Sequence, residues 1–297
     1  MLGCVGECML ELSHQGEQQY RLAYGGDVFN TAAYCARLGA SVGFLSAMGD
    51  DRHSQWLVQA WRDEGVDVED VRIIPGAAPS LYTIENDANG EKHFSYWRSA
   101  SPFRQLFAPG VKYDRFRQRL SRYRALYFSG ISLALLPEPD RQLMIEHVQY
   151  FRSQGGIVAY DPNYRAKLWP ADDARLWNAR AYDVADIALP SLEDIGALHG
   201  HRDPESALTV AATAAEVVMK CGEDGVALML NGVEQQHFPL PKAVVPVDTT
   251  AAGDAFNAGY LVARLNGQSP PQAVKLGQHT AVRVVQHRGA IIPASEW

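Results

Sequence analysis

Several features that would place the chain in a special class are missing from its sequence. Its four cysteines form no Cys-x-x-Cys pair, and several lie in apolar runs. This pattern argues against a disulfide framework or a zinc site and favours a reducing compartment. No apolar run approaches the roughly 20 residues of a membrane-spanning helix. We therefore expect a cytoplasmic protein.

Long basic runs are absent as well. Lys and Arg number 27 against 34 for Asp and Glu, so the formal net charge is −7. In the densest basic stretch, "YDRFRQRLSRYRALYF", arginines alternate with apolar residues at helical spacing, which is typical of a solvated helix face. The sequence thus lacks the positive charge that attracts nucleic acid or anionic membranes, and small molecules are the expected partners.

What the sequence contains is an alternation of strands and helices. "LGCVGECMLEL" and "SVGFLSAMGDD" predict the first two core strands, and "DVFNTAAYCARLGA" and "HSQWLVQAWRDEG" the helices that follow them. The first helix is expected to bury one stripe of residues: Phe29, Ala32, Ala33, Ala36 and Leu38. The alternation returns at "ALYFSGIS" and ends with two helices. This order predicts one large domain, residues 1–297, built on a parallel sheet covered by helices.

The alternation is interrupted once, after the second helix. "VRIIPGAAPSLYTIENDANGEKHFSYWR" predicts short strands separated by turn signals, with "NDANGEK" as the tight turn of a hairpin. We expect a small β-sheet that stands off the main body and is formed by about 12–24 and 70–100. We interpret this small sheet as a lid.

The stretch "DTTAAGDAF" carries the chemistry. Ala251, Ala252 and Gly253 leave the backbone N–H groups uncovered by side chains just where a helix begins. Such a helix start is an anion site, and Asp254 would lie beside the anion as a general base. An acid in the first turn also suits a helix by itself, so capping is the alternative role of Asp254.

Three motifs together resemble the signatures of the PfkB (ribokinase-like) carbohydrate kinases. "DTTAAGD" is similar to the pattern D-T-x-[GA]-A-G-D, "GGDVFNTAAYCARLGA" to the N-terminal sugar signature, and "VVMKCGEDGV" to the nucleotide segment. The resemblance covers nearly the whole chain. It implies a three-layer α/β/α fold with a small β lid, a mostly parallel central sheet, and ATP and Mg²⁺ as cofactors.

Within that family, strings such as "GECMLELS", "DPNYRAKLW" and "HRGAIIP" resemble the branch that phosphorylates 2-keto-3-deoxygluconate at its terminal hydroxyl. A sugar acid needs a cation, and arginine suits a carboxylate. The resemblance implies the following sugar-binding residues: Gly26, Asp27, Asn30, Tyr82, Tyr96, Arg98, Arg165 and Asp254. For the two tyrosines a packing role in the small sheet is the alternative, and for Arg165 a surface charge.

For the nucleotide, the resemblance implies a second set: Ser191, Lys220, Gly222, Glu223, Gly225, Ala252, Gly253 and His279. A tight turn would explain the two later glycines of the nucleotide segment equally well, and a buried structural role would explain the histidine. "LPSLEDIG" departs from the family's N-x-x-E and offers Asp194 or Glu193 for hydrated Mg²⁺. Asp248 matches a position that helps organise a monovalent cation, such as K⁺.

Three alternatives to a sugar-acid kinase differ in chemistry. A fructokinase or another kinase of neutral sugars would keep the motifs and change the sugar. A sugar sensor without catalysis would be expected to lose the base, whereas Asp254 is present. A nicotinamide oxidoreductase is disfavoured because "GCVGEC" lacks the G-x-G-x-x-G turn. The strand edges and aromatics at 82–97 favour a homo-oligomer formed through the small sheet.

Overall fold

The computed structural model describes residues 1–86, 92–107, 113–241 and 244–297. In these ranges the strands are β1 (Leu2–Val5), β2 (Met9–His14), β3 (Tyr20–Gly25), β4 (Val42–Met48), β5 (Val71–Ile73), β6 (Leu81–Asn86), β7 (Lys92–Trp97), β8 (Ala125–Ser129), β9 (Ile157–Asp161), β10 (Ile187–Ala188), β11 (Glu216–Lys220), β12 (Val226–Leu230) and β13 (Glu234–Phe238). The helices are α1 (Asp27–Arg37), α2 (Arg52–Asp63), α3 (Tyr113–Leu120), α4 (Gly130–Leu135), α5 (Glu138–Ser153), α6 (Ala171–Val184), α7 (Leu192–His199), α8 (Pro204–Leu208), α9 (Ala252–Leu265) and α10 (Pro270–Val284).

Nine of these strands form the large sheet, in the order β13-β12-β11-β10-β9-β8-β1-β4-β5. The strands from β11 to β5 are parallel to their neighbours, and β12 and β13 add an antiparallel edge. The predicted mostly parallel sheet is confirmed. Because the strands are parallel, the carboxyl ends of β1, β8, β9 and β11 meet at one edge, where such sheets place ligands.

Two hydrophobic cores lie on opposite faces of this sheet. Leu126 and Phe128 of β8 belong to one core, while Tyr127 between them belongs to the other, as the alternation of a strand requires. On the second face, Phe29 of α1, Phe44 of β4 and Trp61 of α2 pack with ring centroids 5.1–5.3 Å apart. Helices thus cover both faces, which confirms the three-layer α/β/α architecture.

The other four strands form the small sheet, in the order β3-β2-β6-β7. The predicted first strand is in fact two, because the chain leaves the large sheet after β1 and joins the small one at β2. Gly6 lies at this crossing, where a Cβ atom would come within 2.6 Å of Val28. The predicted segment 70–100 is also divided, since β5 pairs with β4 of the large sheet. The small sheet therefore consists of 9–14, 20–25, 81–86 and 92–97, and most of the predicted "NDANGEK" turn (87–91) lies outside the described residues.

Two short helices that the sequence did not predict, α4 and α7, follow strand ends. Gly130 opens α4 directly after β8, and a Cβ there would lie 2.0 Å from the Pro162 carbonyl oxygen. The glycine lets the end of β8 approach the loop after β9, which narrows the carboxyl edge of the sheet. In the part of the chain that is described, no helix has both the length and the apolar character needed to cross a membrane.

Candidate active site

The start of α9 exposes backbone amides. Ala251 precedes the helix in the left-handed conformation, with φ 61° and ψ 14°, and no side chain caps it. The Ala252 N–H donates to the Thr249 carbonyl at 3.2 Å, so the loop itself occupies one of the predicted amides. Among the described residues, the N–H groups of Ala251, Gly253 and Asp254 donate to no protein acceptor. They are the unbonded donors that an anion at a helix start requires.

Asp254 lies in the first turn of α9 and is held by the first helix of the chain. Its Oδ2 accepts a hydrogen bond of 2.8 Å from the Asn30 side-chain amide, and its backbone carbonyl accepts one of 3.2 Å from the Thr31 hydroxyl. Asn30 in turn accepts the Gly26 N–H at 3.3 Å. The structure thus brings the two stretches "GGDVFNTAAYCARLGA" and "DTTAAGDAF" together.

The electrostatic surroundings of Asp254 oppose its ionisation. Burial raises its pKa, as do the nearby charges of Asp27 and Asp161, whereas the Asn30 hydrogen bond and the Lys220 charge lower it. The result is a pKa raised to about 7. A carboxylate with such a pKa can accept a proton near neutral pH, and a general base needs this property.

Asp27 lies beside this base, at the first position of α1. Its Oδ2 accepts a hydrogen bond of 2.9 Å from the side-chain amide of Asn163, and burial raises its pKa. Asn163 follows β9 and adopts a left-handed backbone with φ 35°. Asn163 was not predicted as a site residue, although it lies in the quoted string "DPNYRAKLW". An Asn between a strand end and the next element was the available signal.

Lys220, at the end of β11, is held by a buried network. Its Nζ lies 2.6 Å from Asp161 Oδ2 and 3.1 Å from Asn257 Oδ1. Asn257 also donates to Asp161 at 2.6 Å. A Cβ added to Gly253 would lie 3.8 Å from the Lys220 ammonium, which places this charge beside the unbonded amides. Asp161 and Asn257 could not be predicted as site residues from local sequence, because only the tertiary structure brings them to the lysine.

Two tyrosines of the small sheet stack on each other. Tyr82 and Tyr96 have ring centroids 5.9 Å apart, and their strands β6 and β7 pair them directly. Tyr82 is buried and its hydroxyl donates to Glu11, while Tyr96 is 41% exposed. The Tyr82 hydroxyl is therefore already hydrogen-bonded within the small sheet, whereas the exposed Tyr96 side chain is available to a ligand.

Arg98, at the end of the small sheet, forms an ion pair with Glu7 from the loop after β1. Glu7 is buried and also accepts a hydrogen bond of 2.8 Å from the Ser80 hydroxyl. Glu7 was missed in the sequence, although it lies in the quoted "GECMLELS". The Arg98 Nε is buried and has no hydrogen-bond partner within the described residues. The guanidinium is thus held from one side and retains a free donor.

Arg165 and Asp194 meet at the carboxyl edge of the sheet. Their nearest charged atoms are 3.9 Å apart, and the Arg165 side chain is 54% exposed. Burial and the charge of Asp161 raise the pKa of Asp194 to about 6, although Arg165 lowers it. Ser191 caps α7 by accepting the Asp194 N–H at 3.0 Å, whereas Glu193 is exposed. Within the described ranges, no three His, Cys, Asp or Glu residues converge on a metal position.

The remaining nucleotide candidates form a turn and an exposed helix position. Gly222 and Gly225 have φ of 60° and 93° in the turn between β11 and β12, so the backbone there favours glycine. Glu223 between them is exposed. His279 on α10 is exposed as well, and its Nδ1 lies 2.7 Å from the Lys275 carbonyl. The alternative of a buried structural histidine is therefore wrong.

Asp248 lies before the loop that leads to α9, and its oxygens are occupied by protein donors. Oδ1 accepts the Thr250 N–H at 2.9 Å and contacts the Lys92 ammonium at 2.5 Å, and Oδ2 accepts the Gly289 N–H at 3.0 Å. Burial alone would raise the pKa of Asp248, but these hydrogen bonds outweigh it and lower the pKa to about 2. The carboxylate is ionised and already paired.

Comparison with known proteins agrees with this site. The profile of the pfkB family carbohydrate kinases matches residues 1–297, and the chain belongs to this family. One curated relative, the 2-dehydro-3-deoxygluconokinase of Dickeya dadantii, is 39% identical over 98% of this chain and 96% of its own. A fructokinase of Klebsiella pneumoniae is 31% identical over 86% of this chain and 82% of its own.

The fold has solved counterparts. The aminoimidazole riboside kinase of Salmonella enterica, whose structure contains aminoimidazole riboside and an ATP analogue, superposes with a TM-score of 0.83. It is 26% identical, and the match covers 97% of this chain and 94% of that one. The resemblance to PfkB kinases, and with it the ribokinase-like fold, is confirmed.

Proposed function

We propose that the protein transfers the γ-phosphoryl group of ATP to the terminal hydroxyl of 2-keto-3-deoxy-D-gluconate and forms the 6-phosphate. The similarity to a 2-dehydro-3-deoxygluconokinase over nearly the whole chain supports the substrate. The observation that carries the reaction is a carboxylate with a pKa near neutrality, Asp254, in the same helix turn as unbonded amides. Phosphoryl transfer needs this pair, a proton acceptor and a stabiliser of phosphate charge.

In this mechanism Asp254 takes the proton of the terminal hydroxyl as its oxygen attacks the γ-phosphorus. The bond from phosphorus to the bridging oxygen breaks, and ADP leaves with that oxygen. The N–H groups of Ala251, Gly253 and Asp254 bind the transferring group, whereas the Ala252 N–H between them donates to the Thr249 carbonyl. Lys220, held beside Gly253 by Asp161, adds positive charge where negative charge develops.

The sugar lies in this proposal between the large and small sheets. On the side of the large sheet, the sugar hydroxyls bind to Asp27, Asn30 and the backbone of Gly26, next to the base. The exposed Tyr96 and the arginines Arg98 and Arg165 bind its carboxylate end. Burial raises the pKa of Tyr96, and the charges of both arginines lower it, which supports their common location near its hydroxyl. Tyr82 contributes through its stack on Tyr96, because its own hydroxyl is bonded to Glu11.

The nucleotide occupies the adjacent carboxyl edge. The phosphates of the nucleotide bind to Lys220 and Gly253. The path for the rest of the nucleotide is lined by five other residues: Ser191, Gly222, Glu223, Gly225 and His279. Asp194 fits hydrated Mg²⁺, because its buried carboxylate lies at the edge of this path, and Glu193 is exposed beside it. Bound there, Mg²⁺ would neutralise phosphate charge. We assign to Asp248 the role of holding a positive charge beside the anion site. The resemblance to PfkB kinases predicted that K⁺ carries this charge.

The small sheet acts as the lid over the sugar and as the contact for a homo-oligomer. Four of its large apolar side chains are more than two-fifths exposed: Tyr20, Leu22, Tyr96 and Trp97. Apolar side chains on an open sheet favour association with a second copy. A molar mass of twice the 32.7 kDa chain by light scattering would support this assignment, and a monomer would contradict it.

A coupled assay of ADP release over a sugar panel tests the function. The panel contains the keto-deoxy acids derived from gluconate and galactonate, together with fructose and ribose. We expect turnover of the gluconate derivative with a kcat/KM well above that for fructose. Comparable turnover of fructose and none of the acids would favour the fructokinase alternative. Binding of sugar without ADP release would favour a sensor.

A further inference from the structure

The positive charge that faces Asp248, beside the anion site, is the ammonium group of a lysine of the chain itself. Lys92, the first residue of β7 in the small sheet, reaches the Asp248 carboxylate at 2.5 Å. Its ammonium also donates to the Thr250 hydroxyl at 3.0 Å, one residue before the left-handed Ala251. Strand β7 and the loop before α9 are 156 residues apart in sequence at this contact. The small sheet thus places a cation on the loop that leads into the amides at the start of α9.

A monovalent cation held by Asp248 does not fit these contacts. One carboxylate oxygen faces the ammonium and the Thr250 N–H, and the other accepts the Gly289 N–H. The Asp248 side chain is 7% exposed, so little of it remains open to an ion from solvent. A K⁺ ion at these oxygens would face the ammonium as a like charge in a partly buried site, which is unfavourable.

We propose that the Lys92 ammonium replaces the monovalent cation beside the anion site, so that this kinase works without K⁺. The inference rests on the proposed function, because the charge serves phosphoryl transfer. The ammonium neutralises Asp248 and polarises the loop whose amides bind the transferring group. It performs this role only while the small sheet lies against the loop, which couples the lid to the anion site. Lys92 is therefore a positioning residue for the loop and the lid.

Removing the ammonium should create a cation requirement. Lys92→Met keeps most of the aliphatic stem and removes the charge, and Arg21→Met changes an exposed cation of the same sheet as a control. Activity is measured in KCl and in choline chloride at equal ionic strength. The wild type and Arg21→Met should differ by less than about twofold between the salts. Lys92→Met should lose about tenfold or more in choline and recover part of that loss in K⁺.

Thermal melting gives a second readout that is independent of turnover. K⁺ should raise the melting temperature of Lys92→Met relative to choline and leave that of the wild type unchanged, because only the variant has an open site. A contact that merely latches the lid would not respond to K⁺ in either assay. Lys92→Cys alkylated with 2-bromoethylamine restores an ammonium at nearly the same reach and should return the variant to K⁺-independent behaviour.

A wild type that needs K⁺ for turnover, or that K⁺ stabilises as much as it does Lys92→Met, would overturn the inference. Loss of activity in Lys92→Met without recovery in K⁺ would overturn it too. Absence of any kinase turnover in either salt would instead contradict the proposed function, and the melting experiment would still decide the cation site.

Discussion

The side-chain amide of Asn30 donates a 2.8 Å hydrogen bond to the carboxylate of Asp254, although 224 residues separate them in the chain. This bond joins α1, near the start of the chain, to α9, near its end. It orients the Asp254 carboxylate and partly offsets the burial that raises its pKa. A base held in this way is oriented before substrate arrives, and preorganisation of this kind favours catalysis.

Replacing the base should abolish turnover without abolishing nucleotide binding. Asp254→Asn keeps the shape of the side chain and removes its ability to accept a proton, so kcat should fall by about 10²–10⁴-fold. ATP affinity, measured by calorimetry, should remain within about threefold, since the backbone amides are unchanged. Near-normal kcat in this variant would refute the general-base assignment.

The activity should depend on pH through the charges around Asp254. Because burial raises its pKa to about 7, kcat should decline below neutral pH as the base becomes protonated. Asp27→Asn removes a negative neighbour and should move this acidic limb to lower pH, whereas Lys220→Met removes a positive one and should move it to higher pH. The measurement is kcat against pH at saturating sugar. Shifts of the two limbs in the same direction would contradict the assignment.

The same carboxylate should cost stability at neutral pH. Its pKa is about 7 in the fold against 3.8 for the free group, so the folded state penalises the ionised form. Wild-type stability should therefore decrease relative to Asp254→Asn as the pH rises from about 4 to 7, and the gap should be constant above that. Linkage from these two pKa values gives a gap that widens by up to about 4 kcal/mol between pH 3 and pH 8, measured by urea unfolding. A gap that does not change with pH would show that ionisation of Asp254 does not cause it.

Adding one methyl group at Gly253, beside the unbonded amides, should reduce activity without reducing the stability of the fold. In Gly253→Ala the new Cβ would come no nearer than 3.8 Å to its neighbours, so the fold can accept it. Alanine in a helix turn should keep or raise the melting temperature. The methyl group would cover the N–H groups that we assign to the phosphate, so KM for ATP should rise and kcat fall, together by about tenfold or more. Unchanged kinetics would place the phosphates elsewhere.

The Glu7–Arg98 pair should control affinity for the acid sugar in opposite directions. Arg98→Met removes a cation that can bind a carboxylate and should raise KM for the keto-deoxy acid by about 10–100-fold. Glu7→Gln removes the negative partner of the guanidinium and should lower that KM. A neutral sugar should respond weakly to both changes, and Arg21→Met serves as the control for lost surface charge. Equal losses on acid and neutral sugars would argue against a carboxylate contact.

The local patterns that depend on neighbouring residues could be read from the sequence. Apolar spacing predicted α1, α2, α9 and α10, and the small residues before Asp254 predicted a bare helix start. The division of "LGCVGECMLEL" between two sheets could not be read, because a strand's pairing partner lies elsewhere in the chain. The same holds for β5, which the sequence grouped with the small sheet and the fold pairs with β4.

The sequence by itself determined the reaction class, because the small residues and acids of "DTTAAGDAF" suit an anion site beside a base and resemble the PfkB signature. Only the tertiary structure decided which charges meet there. Asp161 with Lys220, Glu7 with Arg98, and Lys92 with Asp248 are pairs whose members lie 59, 91 and 156 residues apart. Electrostatic energy depends on distance in space and on burial, and neither quantity is encoded in local spacing. The reaction class could therefore be predicted from the sequence, whereas the charged pairs that set the pKa values of the site depend on the fold.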